Sequence, residues 1–360
     1  MPNIGENLKN LVFFIIILIS LNACTSFNLN ADANKQNFNG KSSLLASNGK
    51  KVLGRQAYKI AILFPSKVVG NYAYDLINTV STYMLMQNKQ FKIKIYDSFD
   101  EKTSSIKKEI TKINNDGYKN VVALLTQKGF LEIRDAKNLK NLRIYFPIIN
   151  RNNYYVKHKN FYFGGVNYKQ QLEYLILYSK ENIVDFYDDS FVGQRLDDMV
   201  KSLAPKIIYS HIIDARNSRY RYLVNHKALN DSSLILNTPI VKTSILLSQI
   251  QANTDIQPSM ILSTQLNYTP LIFSLTQVDD RKNLVIANSI GKVNPALSEA
   301  LLLNNVNINY NFLAFSSLVG IDYLFSDNHS GLLNYDMVNN QAIYLVSLYK
   351  VNDFSFEEIK

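Results

Sequence analysis

YKIAILFPS at residues 58–66 and FKIKIYDSF at residues 91–99 frame the stretch that decides the fold. The first is an apolar run led by β-branched and aromatic residues and stopped by Pro65, the pattern of a strand buried on both faces. Between the two, Val69, Ala73, Leu76, Ile77, Val80, Tyr83 and Met84 recur at helical spacing. In the second run, Phe91, Ile93 and Ile95 alternate with Lys92 and Lys94. A strand–helix–strand crossover of this length implies parallel neighbours joined with a right-handed connection.

The same unit repeats downstream. Residues 103–117 read as a helix, with Ile106, Ile110 and Ile113 on one face and Gly117 at its end. Strands are expected at 120–126, 142–149 and 160–163, with a short helix at 129–138, and these complete a first doubly wound lobe over 58–163. After Gly164-Gly165 a second series begins, with strands at 183–187, 206–213, 233–237 and 260–263 and helices at 169–181, 191–203 and 239–252. A basic, polar helix is expected over 216–229. The second lobe is expected to span 164–264, with 265–325 returning to the first. That return carries helices at 270–277, 294–303 and around 315–325 and a strand at 283–288. Residues 326–360 are expected to close the second lobe with a β-hairpin, strands 331–335 and 342–350 joined across Asn339-Asn340. The fold class is α/β, two doubly wound lobes with a C-terminal hairpin.

The chain has 360 residues, 47% of them hydrophobic, which suffices for one large or two medium cores. Its formal charge is +10, yet the lysines are scattered, and the richness in Lys, Asn and Ile matches an AT-rich coding bias. Nucleic acid is not expected as a partner. The one cysteine rules out an intramolecular disulfide and a cysteine-ligated zinc site.

That cysteine, Cys24, follows an eleven-residue apolar run, LVFFIIILISL at 11–21, and Asn22-Ala23. The run falls short of the roughly twenty residues that span a bilayer and has the size of a signal-peptide core. The segment resembles a bacterial lipobox, which implies a signal peptide over 1–23 and acylation of Cys24 as the membrane anchor. An uncleaved short anchor, or an ordinary signal peptide with an incidental cysteine, is the competing reading. Thr25 and Ser26 follow the cysteine, without the aspartate that holds many lipoproteins at the inner membrane, so outer-membrane residence is expected. Residues 24–57, rich in Asn, Ser, Lys, Gly and Ala, read as a flexible tether facing the periplasm.

Two successive α/β lobes closed by a terminal hairpin resemble the type 1 periplasmic binding protein fold over residues 58–360. Within it the chain resembles the C-terminal domain of the outer-membrane lipoprotein activators of bifunctional penicillin-binding proteins. IKIYDS at 93–98, NFYFGGVNYKQQLEYLILYS at 160–179 and SGLLNYDMVNNQAIYLVSLYKVNDF at 330–354 carry that resemblance. Only the tether precedes Tyr58, where the well-known activator has a long helical domain. The rival branch is the amino-acid-binding proteins of ABC transporters, resembled by FYDDSFVGQRL at 186–196. In those binders a run of Ser, Thr and small residues after the third strand grips the ligand's charged ends. Here the place holds Thr126, Gln127, Lys128 and Gly129.

Catalysis finds little support. The four histidines lack metal spacings, and neither a Gly-x-Ser-x-Gly elbow nor a glycine-rich phosphate loop occurs. The pairs Asp188-Asp189 and Asp197-Asp198 read as helix-start and solvated-face residues. In folds of this kind ligands bind beyond the carboxyl ends of strands. The candidate cleft is therefore lined by Ser66, Lys67, Thr126, Gln127, Asp188 and Asp189, and Arg219 and Arg221 mark a candidate partner face. The expected function is non-enzymatic and without cofactor: a regulator or scaffold of peptidoglycan synthesis that contacts a synthase. The alternative is a solute receptor for a small polar ligand of the amino-acid type.

Overall fold

A computed structural model describes residues 57–87, 90–139, 141–180, 182–214, 219–326 and 331–360. The expected signal peptide (1–23) and, but for residue 57, the expected tether (24–57) with Cys24 lie outside the described residues, as do residues 215–218 around the start of the expected basic helix.

Strand β1 (Tyr58–Phe64) is hydrogen-bonded in parallel between β2 (Phe91–Asp97) and β3 (Asn120–Ala123), with Ile60 opposite both Ile93 and Asn120. A strand paired on both sides and covered on both faces has no polar side, which is why Ile60 to Leu63 are fully buried. Helix α1 (Tyr72–Met86) lays Leu76, Val80 and Tyr83 over Ile60 and Ile62. Helix α2 (Thr103–Asn115) lays Ile106, Ile110 and Ile113 over Ala61 and Leu63 on the other face. Each such aliphatic side chain, once fully buried, contributes about 1.5–3 kcal/mol. Helix α3 (Gln127–Ile133) and strands β4 (Arg143–Phe146) and β5 (Phe161–Phe163) complete the parallel part of the first sheet, in the order β2-β1-β3-β4-β5.

The second lobe repeats this plan. Its elements are α4 (Tyr168–Tyr178), β6 (Ile183–Asp188), α5 (Phe191–Leu203), β7 (Ile207–Ile213), β8 (Ser233–Asn237), α6 (Ile240–Gln251), β9 (Met260–Ser263) and β10 (Leu284–Asn288). The strand order β7-β6-β8-β9-β10 repeats that of the first sheet. Each sheet thus has its switch point at its first strand, the place where loops part to leave a crevice.

The chain then returns to the first lobe. Helices α7 (Pro295–Leu303) and α8 (Phe312–Phe325) join the core formed by β1 and α1, through Leu297, Leu301, Leu318 and Ile321 among others. Strands β11 (Asp336–Val338) and β12 (Gln341–Ile343) add to the first sheet beside β5, while β13 (Ser347–Val351) and β14 (Phe356–Glu358) add to the second beside β10. Three crossings, at 164–167, 289–294 and 344–346, therefore link the lobes.

Three expectations differ from this arrangement. The strand at 284–288 was expected in the return to lobe 1, but it pairs with β9 and β13 in the second sheet, so the return begins after Asn288. A short buried strand carries no mark of the sheet it enters. The hairpin over Asn339-Asn340 exists, both residues holding positive φ (50° and 62°) as a primed two-residue turn requires. Its strands are β11 and β12, on the first sheet, and a separate hairpin, β13 and β14, closes the second. Among its described residues the basic stretch is helical only at Tyr220–Leu223, followed by a single 3₁₀ turn at Lys227–Leu229.

The first crossing depends on glycine. A Cβ on Gly164 would collide with the Tyr145 and Ser316 hydroxyls, and one on Gly165 with the backbone of Ile149 and Asn150. At the far end of α8, buried Asp322 accepts from the Tyr83 hydroxyl at 2.7 Å and from the amides of Gly331 and Leu332 at 2.8 and 2.7 Å. That carboxyl pins the approach to the first hairpin onto α8. Asp322→Ala leaves three donors without their acceptor, and we expect a loss of about 3 kcal/mol or more in urea unfolding. A loss below about 1 kcal/mol would show the anchor to be dispensable.

Candidate functional site

Between the lobes lies a cleft of about 740 Å³, within the range of small-molecule sites. Its first wall is α3 with the segment after β4, its second is α5, and its floor is the first crossing. Asn150 holds that floor together. It donates to the carbonyls of Gly165 and Val166, each at 3.1 Å, and accepts from Asn152 N–H at 2.9 Å. Asn167 caps α4 by accepting from the Gln170 amide at 3.3 Å. Beside it, burial pushes the Tyr168 phenol up to about 12, so it stays neutral.

The polar groups following β3 and at the end of β6 have partners inside the protein. Thr126, at the start of α3, gives its amide to Glu101 Oε1 at 2.7 Å and its hydroxyl to Glu101 Oε2. Glu101 is itself buried, and Gly129 packs so closely on its carboxyl that a Cβ there would collide with it. An internal carboxyl therefore takes the donors that an amino acid's carboxylate would need. The second lobe makes the mirror-image arrangement with a cation. Lys242 Nζ lies 3.0 Å from Asp189 Oδ1 and 3.7 Å from Asp188 Oδ2, and donates to the Ile213 carbonyl at 2.8 Å. Asp188 also accepts from Ser190 Oγ at 2.7 Å, and that hydroxyl accepts from the Gly193 amide as the cap of α5.

Of the residues singled out from the sequence, Thr126 and Gln127 line the cleft. Gln127 Oε1 accepts from Arg195 Nη1 at 3.4 Å, a contact from one lobe to the other. Ser66 and Lys67 open a short helix after β1 and are not part of the lining; there Asp97 accepts from the Ser66 amide and the Lys67 ammonium lies 5.7 Å from the Phe99 ring centre. Asp188 and Asp189 belong to the Lys242 cluster and are not part of the lining. Arg219 and Arg221 are exposed on the flank of the second lobe, away from the cleft lining. Sequence reasoning missed Ile148, Phe191, Val192 and Arg195, which the fold gathers at the cleft. Exposed apolar residues at the start of α5 were the available signal. Among the described residues no cluster of three His, Cys, Asp or Glu could hold a metal ion, and no helix is long and apolar enough to cross a membrane.

Behind α5, Asp185 is fully buried and faces Asp197, with Asn237 Nδ2 donating to it at 2.9 Å. Burial, reinforced by the Asp197 charge, holds the Asp185 carboxyl well above the usual range. The folded state thus keeps a proton that the unfolded chain releases above about pH 3.9, and this contribution to stability falls as pH rises. Asp185→Asn removes that dependence and keeps an acceptor for Asn237. We expect the variant to gain in thermal stability relative to wild type on going from pH 5 to pH 8, measured as melting temperature. A pH-independent difference would mean that Asp185 keeps an ordinary acidity.

No family model matches the chain, and no curated protein matches it. Solved structures do. A branched-chain amino acid transporter substrate binding protein, LivJ of Streptococcus pneumoniae, in complex with isoleucine, superposes with TM-score 0.60 at 11% identity over 85% of this chain and 100% of that one. A putative branched-chain amino acid ABC transporter protein of Rhodospirillum rubrum gives 0.63 at 10% identity over 84% and 100%. The C-domain of Haemophilus influenzae LpoA, described as a regulator of PBP1A, gives 0.57 at 13% identity over 84% and 100%. This chain spans about 60% of full-length LpoA from the same organism. The described part of the chain has the type 1 periplasmic binding protein fold, in a form shared by LpoA and the amino-acid binders. Its neighbours are binding and regulatory proteins.

Proposed function

We propose that this chain, a type 1 periplasmic-binding fold, is a non-enzymatic envelope lipoprotein that regulates or scaffolds peptidoglycan synthesis by contact with a synthase. Cys24 is its lipid anchor, residues 24–57 its tether, and the outer membrane its place of residence. One observation carries the choice between the two branches of the fold. The cleft donors positioned to hold a carboxylate, the Thr126 amide and hydroxyl, are used internally by Glu101, and outside the lining Lys242 neutralises Asp188 and Asp189. A free amino acid entering here would have to displace a buried carboxyl from its hydrogen bonds, at a cost its own contacts would only restore. The two-lobed frame is retained without the amino-acid cradle, which supports a role exercised through the surface.

A solute receptor gains stability from its ligand by mass action, about 2.7 kcal/mol at a hundredfold excess over Kd. We expect no shift in melting temperature with leucine, isoleucine or valine, and capture of a bifunctional penicillin-binding protein when the lipidated chain is cross-linked in the envelope. Marked stabilisation by one of these amino acids would reverse the assignment in favour of the receptor. Cys24→Ala should abolish incorporation of labelled fatty acid, and label retained by that variant would remove the anchor from this reading.

A further inference from the structure

With the Thr126 amide and hydroxyl committed to Glu101, what remains accessible to a ligand in the cleft is of two kinds. The first is apolar surface facing water. Leu131 (40% exposed) and Ile148 (39%) on the first lobe oppose Phe191 (63%) and Val192 (41%) on the second. Four large apolar side chains converging on one cavity from two lobes exceed the scatter of single exposed hydrophobics on an ordinary surface. The second is positive charge. Lys128, Lys169 and Arg195 all line the cleft, and none makes an ion pair among the described residues. The one carboxylate in the lining, Glu132, accepts from the Thr103 hydroxyl.

Apolar walls with an excess of cations select for a particular ligand. A neutral hydrocarbon would leave the cations unsatisfied, and a zwitterion would bring an ammonium group into a site where one carboxylate, Glu132, faces three cations. An apolar anion satisfies both features, because its body covers the exposed side chains while its charge meets Lys or Arg in a partly desolvated setting where Coulomb attraction is strong. We propose that the interlobe cleft binds a small apolar carboxylate, its hydrocarbon or aromatic body between Leu131, Ile148 and Phe191 and its charge toward Lys128, Lys169 and Arg195. The site goes beyond the proposed partner contact and does not depend on it. A ligand held by both walls also bridges the lobes where Gln127 and Arg195 meet.

The absence of tryptophan gives a direct test, since an aromatic probe can be read against tyrosine alone. The purified full chain is titrated into 1-naphthaleneacetate, and into the uncharged 1-naphthaleneacetamide, with fluorescence anisotropy as readout and isoleucine as competitor. The acetate should bind saturably, the amide at least tenfold more weakly, and isoleucine should not compete. Lys128→Glu combined with Lys169→Glu, both on exposed side chains, should weaken the acetate at least tenfold without lowering the melting temperature. Phe191→Asp should do so as well. Arg219→Glu, outside the lining, should leave binding unchanged. Equal binding of acetate and amide, indifference to the double lysine change, or no saturable binding of either probe would overturn the proposal. Displacement by isoleucine would overturn it together with the functional reading, whereas failure to capture a synthase would leave it standing.

Discussion

Both sheets are parallel at their centres, and a parallel sheet is stable only when both faces are covered. This constraint shapes everything else in the molecule. Ile60 to Leu63 and the buried run Ser233–Asn237 have no polar side to offer water, so helices must pack above and below each sheet. In the first lobe the helices of 72–115 cover only part of the surface. The pair α7 and α8, drawn from after the second lobe, completes the cover, which obliges the chain to cross between lobes more than once. The crossings tie the lobes together at one edge and leave the carboxyl ends of their strands facing across a cleft.

Electrostatics then decide what that cleft is. In each lobe a charged side chain from a neighbouring segment pairs with polar groups just past a strand end, in the cleft lining in the first lobe and outside it in the second. Glu101 reaches the start of α3 and Lys242 reaches the end of β6. The fold is one that solute binders share, but Thr126 and the Asp188-Asp189 pair are satisfied by the protein itself. What remains for function is the outer surface of the lobes and a cleft whose character is apolar and positive.

Much of the architecture was legible in the sequence because hydrophobic period tracks backbone geometry. The helix expected at 191–203 and the strands expected at 233–237 and 260–263 fall on those residues, and Asn339-Asn340 marked its turn through the tolerance of asparagine for positive φ. The basic stretch after β7 misled, since Tyr220 to Leu229 carries apolar residues at helical intervals without enough of a buried stripe to sustain a helix. The sheet joined by residues 284–288 could not be read either. Every side chain of LVIAN is buried, and nothing in that pattern distinguishes one parallel sheet from the other.

The candidate site divides along the same line. Thr126 and Gln127 could be named in advance because the end of a strand is a position in the sequence. By itself the sequence determined the alternation of parallel strands and helices, the point of passage at Gly164-Gly165 and the hairpin turn, since each follows from local periodicity or from backbone freedom. Only the tertiary structure decided that Glu101 occupies Thr126, that Lys242 neutralises Asp188 and Asp189, and that Ile148 faces Phe191 across the cleft. Those pairings join residues 25 to more than 50 positions apart, and a contact over such separation is set by how whole elements pack.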